Sequence, residues 1–324
     1  MTVPAGAASG GTTPPAGIGI GIACGVGAAA CWAGGFVAAR HGIAAGLSPL
    51  DIAFHRFVWA GVVLLPGVLR HGVVKLGGIG WRRTLVLAVT GGPVQAMVSA
   101  SGFVMVPLAH GAVIQPSVTV LAGLVLAAMV LGDRPPPARV RGAAVLVAGI
   151  LVMGGEGIAA AGAGGMLGDG AFVAAGAMFA TFGVLLRRWR IAPARATATV
   201  AAVTLLYVPV HALAFGFSRM IAAGAFENAL QIVAQGLFSG PGAIYLFARS
   251  AVVLGASRAS VFPSLVPGLT LVIGFLALDE APSLIQVAGL GIVLVGFRLT
   301  QTAGAPGPAF ASRPAADPES DTRC

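Results

Sequence analysis

An internal repeat constrains this chain more than any other feature. Displaced by about 147 residues, the stretch Gly111–Ile150 falls on Arg258–Phe297 without a gap. Pro116-Ser117 then meets Pro263-Ser264, Leu131 meets Leu278, Asp133 meets Glu280, and Pro135 meets Pro282. Gly142 and Gly149 meet Gly289 and Gly296. A repeat of this length means two related halves, and both halves are almost wholly apolar. If each half crosses a bilayer an odd number of times, the second lies upside down relative to the first. That is an architecture of transporters, so the parity of the span count carries much of the functional expectation.

Composition places the chain in a membrane. It is 57% hydrophobic and 9% charged, with a mean hydropathy of +0.94, where a soluble chain would be about a quarter charged. The 49 glycines suit closely packed spanning helices. A net charge of +9 invites a nucleic-acid reading, but the basic residues sit between apolar runs, where they set orientation, and no nucleic-acid partner is expected. Three cysteines make no disulfide framework. The N-terminus lacks a basic n-region, so no cleaved signal is expected. The abundance of Ala, Gly, Val and Arg suggests a GC-rich bacterial genome.

A span needs about 17–25 apolar residues. Ten are expected: Ile18–Ala39, Leu50–Leu69, Leu85–Val106, Ala112–Leu131, Ala138–Met153, Gly170–Leu186, Thr197–Phe217, Leu230–Ala248, Ala259–Leu278 and Leu284–Thr300. The expected organisation is a disordered N-terminus (1–17), a first five-helix repeat (18–153), a Gly/Ala-rich linker (154–168), a second repeat (169–300) and a disordered tail (301–324). Arg and Lys then fall about 16 to 3 on alternate sides, with Arg40, Arg56 and Arg219 as the minority. By the positive-inside rule both termini are cytoplasmic. An even total gives five spans per half, and hence inversion. The expected fold is all-α and integral to the membrane, with ten transmembrane helices as two inverted five-helix repeats.

With this topology the chain resembles the EamA-type branch of the drug/metabolite transporter superfamily. The matching pieces are Trp32-Ala33-Gly34-Gly35-Phe36, Gly46-Leu47-Ser48-Pro49 leading to Arg56-Phe57, and Pro116-Ser117 with Leu131-Gly132-Asp133-Arg134. The second half contributes Gly168-Asp169, Arg187-Arg188 and the series Pro263, Glu280, Gly296. Leu278-Asp279-Glu280 lacks the glycine of the usual pattern. The resemblance implies a ten-helix carrier that moves small organic solutes, often outward.

Every acidic residue lies at or beyond an expected span end, so no carboxylate is expected at the midplane, where proton carriers and cation sites usually place one. Ser48-Pro49-Leu50-Asp51 reads as a helix start capped by Ser and Asp. Asp133 and Asp169 read likewise as acids at helix starts. Arg56 lies about 7–8 Å into span two. Either its stem snorkels outward, or its guanidinium faces a cavity and attracts a carboxylate or phosphate. His55 lies one turn from Asp51 and is a candidate partner for it. Trp32 and Phe36 share a face of span one, opposite the small row Gly17, Gly21, Gly25, Ala29, Ala33. Core filling and cavity lining both fit this pair, and the family resemblance favours the cavity.

Uncharged polar residues form one-turn pairs: Gln95 and Ser99, Gln115 and Thr119, Tyr207 and His211, Gln235 and Ser239, joined by Tyr245, Ser260 and Ser264. Lipid should not face such stripes. Each alone fits helix–helix hydrogen bonding, whereas stripes from several spans point to a shared aqueous path. No phosphate-binding loop, HExxH or CxxC pair is present, and neither a metal nor a cofactor is expected. The function expected is a secondary transporter, an exporter by resemblance, of small metabolites such as amino acids or related amphipathic compounds. It would work as a monomer or homodimer in a bacterial inner membrane, with passive flux, exchange and histidine-based proton coupling all open. A multispan membrane enzyme and a non-transporting sensor are the alternatives.

Overall fold

The computed structural model describes residues 18–70, 76–259 and 261–302; side chains are described for all of these except 77, 153–163, 256–257 and 301–302. Expectations for the terminal segments 1–17 and 303–324, for His71, Lys75 and Ser260, and for the side chain of Glu156 lie outside the described residues. All regular structure among the described residues is helical. The first half holds α1 (Ile18–Ala44), α2 (Pro49–Arg70), α3 (Trp81–Gly91), α4 (Pro93–Gly102) and α5 (Leu108–Leu131). The long element α6 (Pro137–Trp189) joins the halves. The second half continues as α7 (Pro193–Thr204), α8 (Tyr207–Ala214), α9 (Ser218–Gln231), a π-helical stretch Ile232–Gly242, α10 (Ala243–Leu254), α11 (Ala256–Ala259), α12 (Val266–Leu278) and α13 (Leu284–Thr302). Residues 301 and 302, expected in the tail, end α13.

Among the described residues, seven helical stretches are long and apolar enough to cross a membrane: Ile18–Ala44, Pro49–Arg70, Trp81–Gly102, Leu108–Leu131, Gly164–Trp189, Pro193–Ala214 and Ser218–Leu254. Phe262–Leu278 and Leu284–Thr300 are shorter apolar helices. Small and polar side chains are packed inside together with large ones such as Phe103 and Phe172, while many large apolar groups face outward. Interiors are lined by Ala28, Ala29, Ala33, Ser117, Thr270, Gln231 and Gln235, while Met129, Leu213, Ile221, Phe226, Val252 and Leu276 project outward. Lipid solvates the large apolar groups, and helices bind one another through small and polar ones.

Element α6 is not one straight rod. Fifty-three residues of α-helix would extend about 80 Å, yet Arg187 Nη2, at its far end, lies 2.7 Å from Asp133 Oδ2, just before its start. Its arms 137–152 and 164–189 are therefore antiparallel, and the segment 154–168, expected as a linker, is helical. The second arm runs parallel to α5: His110 meets Asp169, Thr119 donates to the Gly176 carbonyl, and Asp133 meets Arg187. The first arm runs antiparallel to α13. A methyl at Gly149 would meet Val293, and one at Gly296 would meet Leu146.

That last pair exposes the symmetry of the repeat. Gly149 plus 147 is Gly296, and Val293 minus 147 is Leu146, so each contact is the image of the other. Helix α5 and its counterpart α12 are also antiparallel, since Leu108 lies against Gly274 and Val113 clusters with Leu271. Even the helix ends correspond. Gly132 after α5 and Asp279 after α12 both adopt the left-handed conformation, at φ 71° and 56°. Asp279 thus does the work of the glycine missing from the second repeat, as Asp tolerates this region better than most residues.

The crossing of α6 and α13 depends on missing side chains. A Cβ on Gly142 would approach the Thr300 backbone nitrogen to 2.6 Å and the Leu299 carbonyl carbon to 2.9 Å, where no rotamer change gives relief. Gly142→Val should therefore lower stability by about 1–3 kcal/mol, whereas Gly291→Val, with open space around it, should be near neutral. Thermal unfolding of the two variants in one detergent checks this.

Candidate functional site

The polar stripes gather into two clusters rather than one. In the first, α4, α5 and the second arm of α6 meet. Ser99 Oγ donates to Gln115 Oε1 (2.6 Å), Gln95 Nε2 donates to the Ala175 carbonyl (3.4 Å), and Thr119 Oγ1 donates to the carbonyls of Gln115 (2.9 Å) and Gly176 (3.2 Å). Nearly every group here is satisfied by a neighbouring helix, so this cluster acts as helix glue in this conformation.

In the second cluster, α2 packs on α7, α8 and the π-helical stretch. Pro241 lacks the N–H that an α-helix needs, and the backbone widens to π over Ile232–Gly242. Gly236 lets this stretch approach the His55 carbonyl and Trp59. The result aims Gln235 and Ser239 inward at α1. Gln235 Nε2 donates to the Gly35 carbonyl (2.7 Å), and Arg56 Nη1 donates weakly to Gln235 Oε1 (3.4 Å). That is the one hydrogen bond seen for Arg56, and among the described residues no carboxylate lies within ion-pair range of it. Around it, Ser239 Oγ and Trp59 Nε1 are buried without hydrogen-bond partners. The guanidinium and these two unsatisfied donors belong to one helix junction, α2 on the π-helical stretch, and are free to take acceptors.

Toward the end of α2 that holds Asp51, the cluster becomes ionic. Asp51 and Ser48 form the reciprocal cap expected from sequence: Ser48 N and Oγ donate to Asp51 Oδ2 (2.8 and 2.7 Å), and Asp51 N donates to Ser48 Oγ (3.2 Å). The other carboxylate oxygen, Oδ1, faces His211 Nε2 at 3.2 Å, an ion-pair distance without hydrogen-bond alignment. With Nε2 protonated toward Asp51, His211 Nδ1 accepts from the Tyr207 hydroxyl (3.2 Å). Phe54, Phe215 and Phe217 ring the imidazole. The partner expected for Asp51 was His55. Instead His55 Nε2 meets Asn228 Oδ1 (3.1 Å), because α9 intervenes on that face.

Two further expectations are corrected on acids, and one is refined: Glu227 sits three residues past the break at Gly224, near the start of a helical stretch, buried, accepting from Gln231 Nε2 (2.8 Å) and facing His41 Nδ1 (2.9 Å). Asp169 lies within α6 and pairs with buried His110 (2.8 Å). Asp133 precedes the Pro136 cap of α6 and binds Arg187 instead. Neither Asp133 nor Asp169 starts a helix, because the chain reaches α6 through three prolines and then runs helically past residue 169.

The remaining candidates scatter. Tyr245 is 70% exposed on the outer surface and joins neither cluster. Ser264 donates to the Val261 carbonyl of its own turn (2.6 Å). Trp32 packs on Phe247 (5.6 Å between rings) and Phe36 on Phe103 (6.1 Å), so both aromatics fill space between helices here. Sequence reasoning missed Asn228 and Phe54; the i+4 spacing puts Trp59 on one stripe with Asp51 and His55, though not as a site residue. A recess of about 570 Å³ opens elsewhere, between Arg40, His41 and Ala44 of α1 and residues 275–280.

Comparison with known proteins agrees with this organisation. A sequence model of the EamA-like transporter family matches residues 19–155 and again 166–302. A relative from Archaeoglobus fulgidus, described as an uncharacterized transporter, is 23% identical over 275 residues, which are 83% of this chain and 93% of its own. A solved crystal structure of a protein aligns at TM-score 0.57 and 18% identity, covering 90% of this chain and 98% of that one. At that identity it speaks to the fold alone.

Proposed function

This chain belongs to the EamA-like transporter family, and we propose that it is a secondary carrier of small organic solutes that bear a carboxylate, such as amino acids or related amphipathic compounds. The observation that carries the reading is Arg56, inside the apolar helix α2, with one weak hydrogen bond, no anionic partner among the described residues, and two unsatisfied donors in the same helix junction. A substrate carboxylate would accept from Arg56 in a charge-assisted pair and from Ser239 and Trp59. An apolar side chain would rest toward Trp32 and Phe247. Export from the cytoplasm is the direction we favour, in a bacterial inner membrane with both termini inside.

The carrier would have ten spans in two inverted five-helix repeats. Antiparallel packing of α5 on α12 and of the first α6 arm on α13 supports inversion, and ten crossings would follow if the first arm of α6 spans beside the seven long apolar helices and the two shorter ones. Two nearly equal packings of such halves would open the Arg56 cluster to either side in turn. Purified protein in liposomes should move a labelled amino acid or a related carboxylate. A complete absence of flux for a broad solute panel would favour the sensor reading. The topology has its own check. Cysteines placed at Arg82 and Arg187 should be shielded from an impermeant thiol reagent in intact cells, and one placed in the segment 154–168 should react. Labelling of that segment only after lysis would overturn the inverted arrangement.

A further inference from the structure

Two ion pairs in this chain are images of one another. Arg40 Nε, at the end of α1, lies 2.7 Å from Glu280 Oε1, beyond α12. Arg187 Nη2, at the end of α6, lies 2.7 Å from Asp133 Oδ2, beyond α5. Arg40 plus 147 is Arg187, and Glu280 minus 147 is Asp133. Both bonds join one half to the other, and they lie at opposite ends of the helices: Glu280 accepts from Leu108 N at the start of α5 (3.1 Å), whereas Asp133 follows its end.

We propose that Arg40–Glu280 and Arg187–Asp133 are reciprocal latches, one at each mouth, and that each is broken when its own mouth opens. The proposal rests on the carrier reading above. In that cycle the halves part at one end while remaining closed at the other, and a bond between halves at a given end cannot survive parting there. Both are formed in this structure. They are not equal. Arg40 also donates to the Phe103 carbonyl (2.8 Å), so the first latch ties α1, the end of α4, the start of α5 and the end of α12. Its side chains are 25% and 29% exposed, against 49% and 46% for the second. Neutralising the first should shift the open-to-closed ratio of its mouth by about tenfold or more, as for a sheltered charge-assisted bond. Neutralising the second should shift it by about twofold, as for an exposed pair.

The test uses nitroxide pairs on the full chain in lipid nanodiscs, with native cysteines replaced by serine. Labels at Ala45 and Leu284 report the Glu280 mouth, and labels at Arg134 and Arg190 report the Asp133 mouth. Glu280→Gln should widen the first distance and leave the second. Asp133→Asn should widen the second alone, and the swap Asp133→Arg with Arg187→Asp should restore it. Monodisperse elution and an unchanged distance at the opposite mouth establish that each variant is folded. Distances that do not respond in folded protein, or that widen at both mouths together, overturn the latches. Solute flux by the wild type is read in parallel. Unresponsive distances with intact flux remove the latches alone, whereas a wild type without flux counts against the carrier reading.

Discussion

Replacing Arg56 with glutamine is expected to weaken transport of a carboxylate-bearing solute by ten- to a hundredfold while leaving thermal stability equal or higher. The two effects have opposite signs for one reason. In the solute-free protein the guanidinium has a single 3.4 Å hydrogen bond, to Gln235, and no carboxylate near it, so it sits among helices as an uncompensated charge whose removal relieves desolvation. In the loaded protein it supplies a charge-assisted contact worth about 1.5–3 kcal/mol. Arg56→Lys should recover little, because an ammonium cannot present the planar fork of donors. Uptake into liposomes and thermal unfolding of the same preparation provide the measurements. A variant that transports normally but melts early would make Arg56 a structural residue that snorkels to the interface, and would end the carboxylate reading.

The second large effect is expected at Asp51. Asp51→Ala removes at once the acceptor for Ser48 N and Oγ and the counter-group of His211, all in a dry setting lined by Phe54, Phe215 and Phe217. Breaking a buried pair from one side costs about 3–5 kcal/mol. Asp51→Asn keeps an acceptor oxygen of the same shape and should lose much less, within the roughly 0.5–2 kcal/mol of a helix cap. Heat-induced loss of monodisperse protein, scanned at one rate for both variants, separates them. Equal midpoints would mean that the acceptor for Ser48 contributes nothing and that the charge facing His211 alone explains Asp51.

How far these sites could be read in advance depended on what each signal measures. Hydropathy and the repeat were enough for the helices, the two halves and the correspondence of Asp133 with Glu280, because length and apolarity are properties of one segment. The Ser48–Asp51 cap was legible for the same reason: it is closed within four residues. Partnerships between segments were not. Spacing put His55 and Asp51 on one stripe, but which neighbour fills that stripe depends on how α8 and α9 dock, and His211 and Asn228 won. Tyr245 looked like part of a polar path because a hydroxyl in an apolar run is conspicuous; a phenol can equally sit on the outer surface, where it is found. The role of Glu227 was hidden by a span boundary drawn too late, since Gly224 at φ 82° interrupts the helix just ahead of it.

The crossing of the first α6 arm with α13 has a consequence for synthesis. The groove made by Gly142 and Gly149 belongs to the first half, yet its filling residues, Val293 and Thr300, are near the end of the chain. During translation, N-terminal segments are made first, so this groove lacks its protein filling until the last helix arrives. Likewise α1, the first helix made, waits for Val253 and Leu254 to cover Gly21 and for Phe262 to cover Gly25. Neither half can complete its own packing. A chain that stops short of α13 is therefore left with an open seam in its oldest half, and a nonsense mutation near the end damages the helices made long before it.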